Sequence, residues 1–490
     1  MKPALKSRDH AVVERATPAI SVRWALASLS LSMLMPSLDT SIANAGLPAL
    51  AHAFNASFQS VQWIVLAYLL AITALIVSVG RLGDMIGRRR LLLGGITLFA
   101  LASLLCGTAP TLWLLLAARA AQGLGAAIMM ALTVALVAET VPKAKTGSAM
   151  GLLGTMSAIG TTLGPSLGGM LIAGPGWRAI FLVNVPIGIV NLYLAWRYLP
   201  ADHSAVKPVR VKFDIAGTLA LALTLASYAL AMTMGHGRIS SLNMALLLAA
   251  AVGTAVFVRV ERKAPSPLIR LEMFRTPGLV GSLAMSTLVA TVVMATLVVG
   301  PFYLARGLGL APMVVGLVLS IGPLVSALTG VPAGRLVDRC GTQTMALIGL
   351  TGMVAGCFAL ATLPGIIPVR FAVAGYIMPI VLVTSGYALF QAANTTAIMA
   401  DIDPDKRGVI AAMLSLSRNL GLITGASFMG AVFTVASATR DVSTADARAI
   451  ANGMQITFAV AGILMVAALA VAATRAVKSH AALSDLGAGQ

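Results

Sequence analysis

Apolar runs of about 20 residues, separated by short polar connections, repeat from one end of the chain to the other. A helix of that length crosses the hydrocarbon core of a bilayer. On this criterion the pattern predicts fourteen spans: 24–47, 61–80, 91–109, 112–138, 146–172, 179–199, 214–234, 241–258, 278–305, 312–333, 342–363, 369–398, 408–437 and 454–474. The first run is too long for the apolar segment of a signal peptide and reads as a retained helix. Of the 490 residues 58% are hydrophobic and 10% charged, so the expected solvent is lipid. A disordered chain, a coiled coil and an ordinary soluble enzyme are excluded.

Charge orients the spans. There are 34 Lys and Arg against 16 Asp and Glu, a balance of +18 that in a soluble protein would suggest nucleic acid. Here the basic residues gather in the connections. With the N-terminus cytoplasmic, 26 of the 34 fall on the inside, counting Arg197 at the inner end of its span, six on the outside, counting Arg370 at the outer end of its span, and Arg119 and Arg418 deep within helices. This is the positive-inside asymmetry of a multi-pass protein of the inner (plasma) membrane with both termini cytoplasmic. Nucleic acid is not an expected partner. A reporter fused after Gln490 is therefore expected to be cytoplasmic, and an extracytoplasmic signal would refute the even count.

Internal repetition gives the organisation. Gly80-Arg81-Leu82-Gly83-Asp84-Met85-Ile86-Gly87 returns 254 residues later as Gly334-Arg335-Leu336-Val337-Asp338-Arg339-Cys340-Gly341, and Ala138–Lys143 is echoed by Ala400–Lys406. Two six-helix bundles of the same orientation fit both echoes if spans seven and eight are an inserted pair, and parallel repeats of this kind mark transporters. The expected division is a tail 1–23, a bundle 24–199, a linker with two inserted spans 200–277, a bundle 278–474 and a tail 475–490.

These motifs resemble the major facilitator superfamily, and within it the fourteen-span drug:proton antiporter branch. The loop Gly80, Leu82, Asp84, Gly87, Arg88, Arg89 matches the superfamily's loop motif. Gly160-Thr161-Thr162-Leu163-Gly164-Pro165-Ser166-Leu167-Gly168-Gly169 matches the antiporter motif of the fifth span. Leu38–Asn44, Arg119–Gly125 and Trp177–Pro186 also look like that branch. The resemblance implies an all-α membrane protein of the major facilitator fold, not an enzyme, exporting small lipophilic compounds in exchange for protons. The loop glycines permit a tight turn. Asp84, with Gly80, Gly83, Gly87, Arg88 and Glu139, is expected to form a latch that closes the cytoplasmic side. Gly160, Gly164, Pro165, Gly168 and Gly169 are expected to allow close helix approach and a kink, whether for export or simply for a tight crossing.

Ionisable groups within a membrane are costly and hence functional candidates. Asp39 lies 15 residues after Trp24 and Arg119 seven after Leu112 on an oppositely directed helix, which at 1.5 Å per residue puts both at nearly the same depth. Asp39 is the expected proton carrier and Arg119 its tuner; a static pair holding two helices together is the alternative. Cavity contacts are expected from Asn44, Trp63, Tyr68, Gln122, Tyr387, Phe390, Gln391 and Arg418. With Asp39 as the sole titrating acid of the cavity, neutral or monocationic substrates are expected over dications, and alanine at Gly164 is expected to be partly tolerated. The sequence has three scattered cysteines, no phosphate-binding loop, and histidines confined to tails and loops. No cofactor, metal site or ATP hydrolysis is therefore expected. The expected partners are lipophilic small molecules, protons and the bilayer, with the protein a monomer. A narrow exporter of one metabolite or self-made antibiotic, and a non-transporting membrane sensor, remain as alternatives.

Overall fold

A computed structural model of the chain describes residues 19–142, 146–202, 214–234, 240–264, 278–366, 371–400, 407–437 and 445–487. The elements among them are helical. They run α1 (Ala19–Ala53), α2 (Phe58–Ile86), α3 (Arg88–Thr108), α4 (Leu112–Thr140), α5 (Thr146–Ala173), α6 (Ala179–Leu182), α7 (Asn184–Tyr198), α8 (Ile215–Thr233) and α9 (Ser241–Lys263). The second half comprises α10 (Leu279–Phe302), α11 (Pro312–Cys340), α12 (Thr342–Ile366), α13 (Ala372–Ala400), α14 (Arg407–Thr424), α15 (Gly430–Ala436) and α16 (Ala447–Gly487). Wider π-helical turns extend α10 at Tyr303–Gly307 and join α14 to α15 at Gly425–Met429.

Thirteen of these stretches are long and apolar enough to cross a membrane, counting α6 with α7 and α14 with α15 as single spans. The 35-residue α1 is a further long helix, less apolar because serines and Asp39 interrupt it. The expected spans are recovered, most with a longer end, while α8 is a residue shorter at each end than the expected 214–234. The C-terminal helix in particular continues past Thr474 to Gly487, through residues expected to form a tail.

Helices α1–α7 pack mainly on one another, through α1 with α5 and α7 and through α4 with α2 and α3. Helices α10–α16 do the same, through α12 with α13 and α16 and through α10 with α14. The pair α8 and α9 packs together, with α8 lying against α2. The two repeated loops sit at equivalent junctions: Gly87 (φ 104°) between α2 and α3, and Gly341 (φ 85°) between α11 and α12. Both positions need the left-handed region in which a side chain is strained. That requirement is why glycine closes both loops.

The two groups meet at one end and separate at the other. At the end carrying Ser57 and Ala311, a β-carbon on Gly169 would lie 2.5 Å from the Pro312 carbonyl oxygen, and one on Gly316 would strike that of Pro165. Ser166 N donates to Ser320 Oγ at 3.0 Å. Beside them Phe58 meets Phe302 and Phe433 at ring separations of 4.7 and 5.4 Å, and Gln62 Nε2 donates to the Ala426 carbonyl, within the π-helical turn, at 2.9 Å. At the end carrying Gly87 and Gly341 no described atom lies within 4 Å of a β-carbon built on Gly151 or Gly154 of α5, or on Gly330 or Gly334 of α11. Gly169→Leu should therefore pry the two groups apart at the closed end. Spin labels at positions 174 and 309, in a background without Cys106, Cys340 and Cys357, should show a longer separation in the variant; an unchanged distance would contradict this packing.

Candidate functional site

Asp39 and Arg119 meet, as their nearly equal depth allows. Asp39 is 1% exposed and Arg119 fully buried. Arg119 Nη1 donates to Asp39 Oδ2 and, at 2.7 Å, to Gln122 Oε1. Its Nε donates to the Ile64 carbonyl at 3.0 Å, and the guanidinium carbon lies 4.3 Å from the centre of the Tyr68 ring. Asp39 Oδ1 accepts from Gln122 Nε2 and from Asn184 Nδ2, both at 2.8 Å. Gln122 Nε2 also donates to Ser103 Oγ at 2.8 Å. Five helices, α1, α2, α3, α4 and α7, thus share one polar cluster. A buried carboxylate is tolerable only when paired and hydrogen-bonded in this way.

This cluster borders, but does not line, a cavity of about 410 Å³ between the two groups of helices. The wall includes Pro36, Ser37, Thr40, Ser41, Asn44 and Tyr68 of α1 and α2, Gly154, Ser157, Ala158 and Thr161 of α5, and Arg418, Asn419 and Leu422 of α14. Tyr376, Ile380, Thr384 and Tyr387 of α13 close the far side. Asp39 points away from this space, with Thr40 and Tyr68 on the wall beside it. The expectation that Asp39 supplies the cavity's negative charge is therefore corrected: its carboxylate is engaged by Arg119.

Of the expected contacts, Asn44, Tyr68, Tyr387 and Arg418 line the cavity. The others do not. Trp63 Nε1 donates to Thr233 Oγ1 of α8 at 3.0 Å, facing the inserted pair. Gln122 is held in the Asp39 cluster. Phe390 is fully buried in the core, and Gln391 lies one turn beyond Tyr387, past the lining residues. Asn184, Thr40 and Asn419 went unassigned in the sequence, although Asn184 stands out as a polar residue in an apolar span.

The antiporter motif divides by neighbour. Gly160, Gly164 and Gly168 face α1, where β-carbons would lie 2.7 Å from the Leu34 carbonyl oxygen, on the Ser41 side chain and 3.3 Å from Ile42 Cγ2 respectively. Gly169 faces α11 instead, and Pro165 is itself within α5. At the open end Arg88 Nη1 and Glu139 Oε1 are 2.6 Å apart, and a β-carbon on Gly83 would meet Leu132 at 2.8 Å. Asp202, from the segment after α7, accepts from Arg89 N at 2.8 Å and Arg90 N at 3.2 Å, capping α3. The side chain of Asp84, the surroundings of Gly80, and Asp401 lie outside the described residues.

Comparison with known proteins agrees with this architecture. The Major Facilitator Superfamily profile matches residues 29–426. The chain is 33% identical over 410 residues to "Multidrug resistance protein Stp" of Mycobacterium tuberculosis (strain CDC 1551 / Oshkosh), covering 83% of this chain and 75% of that one. It is 31% identical over 423 residues to "Riboflavin transporter RibZ" of Clostridioides difficile (strain 630), covering 84% and 88%. Among solved structures, a bacterial homologue of the human lysosomal transporter Spinster, described as inward-facing and unoccupied, aligns with a TM-score of 0.69 at 15% identity over 93% of this chain and 97% of that one.

Proposed function

The chain belongs to the major facilitator superfamily, and on that premise we propose that it is a proton-coupled exporter of small lipophilic compounds working by alternating access. It is a multi-pass membrane transporter rather than an enzyme. In this reading the helices of 24–199 rock against those of 278–474, the inserted pair of 200–277 riding on α2, and the protein acts as a monomer in the inner membrane. The positive-inside pattern makes the Gly87 and Gly341 end cytoplasmic. The open cavity then faces the cytoplasm, and the Phe58, Gln62 and Gly169 contacts form the closed outer gate. The loop of Gly80, Gly83, Asp84, Gly87, Arg88 and Glu139 latches the cytoplasmic side when the outer side opens.

The observation that carries the coupling is the buried Asp39–Arg119 pair beside the cavity wall. Protonation of Asp39 removes the charge that holds Arg119 to α1, and Gln122 is already placed to keep Arg119 partnered. Helices α1 and α4 are then free to shift. A ligand and a proton that favour different states of such a switch are exchanged by linkage. The resemblance to a protein named for multidrug resistance supports a broad substrate range, and the apolar wall suits lipophilic ligands. A narrow exporter of one metabolite is the second reading, favoured by the similarity to a protein named for riboflavin.

Dye and drug accumulation in a pump-deficient host tests the proposal. The chain should lower accumulation of several unrelated lipophiles, and a protonophore should abolish the effect. Reduction for one compound alone would favour the narrow exporter. No reduction for any compound would contradict export.

A further inference from the structure

Arg418 is the one charged side chain among the described residues that line the central cavity. It lies 11 residues along α14 from Arg407, about 16 Å into the membrane at 1.5 Å per residue. No described residue accepts a hydrogen bond from it, and its Nε is buried without a partner. A guanidinium keeps its charge in proteins, so this cation stays uncompensated by the wall. On α1, in the other group of helices, Asn44 is 1% exposed and lines the same cavity, yet neither its amide nitrogen nor its carbonyl oxygen has a hydrogen-bond partner. Buried polar groups without a partner require an explanation, and among the described residues Asn44 is the one side chain with both polar atoms in that state. The nearest buried acid, Asp39, is committed to Arg119.

We propose that Arg418 and Asn44 are the two ends of a binding site for organic anions: flat, lipophilic molecules with a carboxylate at one end and an amide-like or phenolic hydrogen-bonding group at the other. This rests on the cavity being the transport site and narrows the substrates of that site. The carboxylate takes the forked donors of Arg418, which suit its planar geometry. Tyr376 and Tyr387 flank the apolar body, and Asn44 reads the far end as both donor and acceptor. Because Arg418 belongs to one group of helices and Asn44 to the other, such a ligand bridges the halves that must move together. A cation meets only positive charge here.

The test uses fluorescein, which carries a carboxylate, its methyl ester, which does not, and the cationic dye rhodamine 123. Binding to the purified full-length protein in lipid nanodiscs is measured without any ion gradient. The wild type should bind fluorescein about tenfold or more tighter than the ester, as expected for a charge-assisted hydrogen bond, and rhodamine 123 more weakly than either. Arg418→Gln should erase the preference for the acid over the ester, Arg418→Lys should retain part of it, and Asn44→Leu should weaken acid and ester alike. Equal binding of acid and ester by the wild type, absence of fluorescein binding, tighter binding of rhodamine 123, or a preference that survives Arg418→Gln would each overturn the proposal. Binding that behaves as expected in a protein that drives no uphill dye flux under a proton gradient would instead sink the exporter reading and leave the anion site standing.

Discussion

Replacing Asp39 with Asn should reduce uphill export by about a hundredfold or more, the scale on which losing a positioned proton-transfer group acts. The amide preserves shape and removes titration. The structure adds a second effect. Asp39 Oδ1 accepts two amide donors and Oδ2 accepts Arg119, so an asparagine must aim its own N–H groups at one set of donors. Arg119 is then a buried cation without its counter-charge, and breaking one side of such a pair costs about 3–5 kcal/mol. Asp39→Asn should therefore lower thermal stability as well as transport. The two losses separate in the double variant Asp39→Asn/Arg119→Gln, which removes both charges and should recover most of the stability while remaining unable to drive export with protons. Recovery of proton-driven export in the double variant would mean that the pair is only a clamp between α1 and α4.

Substitutions in the antiporter motif should split into two phenotypes. A β-carbon on Gly164 falls on the Ser41 side chain and lies 3.0 Å from the backbone nitrogen of Ile42, which has no flexible end to give way. Both Gly164→Ala and Gly164→Leu should lose folded protein, because overpacking a close helix crossing typically costs about 1–3 kcal/mol and the larger side chain more. Partial tolerance of alanine, expected from the small size of the residue alone, is therefore replaced by a graded loss. Gly168→Ala meets Ile42 at 3.3 Å and should be tolerated. Gly169 is different because its neighbour is α11 of the other group. There a side chain should disturb the equilibrium between conformations while the protein stays folded. Thermal melts of purified protein distinguish the cases, and identical melting behaviour of Gly164→Ala and Gly168→Ala would show that the crossing near Ser41 is looser than these distances imply.

Much of this arrangement was legible in the sequence because hydropathy and charge act locally. A 20-residue apolar run must span, and a basic loop must stay inside, whatever the neighbours. The depth of Asp39 and Arg119 followed from helical rise alone, and both glycine turns, at Gly87 and Gly341, were visible as a repeat. What the sequence hid depends on rotation of helices about their axes and on which helices become neighbours. Gln122 reads as a plausible cavity residue, but it lies one turn from Arg119 and faces inward to the same cluster. Trp63 faces the inserted α8, a neighbour that no periodicity predicts. Likewise Gly164 and Gly169 belong to one motif, yet five residues along a helix turn them toward different partners. Asp39 misleads for the same reason: its depth is right for the cavity, but its side chain points to α4 and α7.

Proton movement coupled to dye movement is the decisive quantity. Purified protein reconstituted in liposomes, with a pH-sensitive dye trapped inside and a substrate from the accumulation assay added, should show proton flux that begins only when substrate is present. That flux should run opposite to the substrate and disappear in Asp39→Asn. Uphill substrate movement without any accompanying proton flux, or an undiminished flux in Asp39→Asn, would contradict proton-coupled export through the Asp39–Arg119 pair.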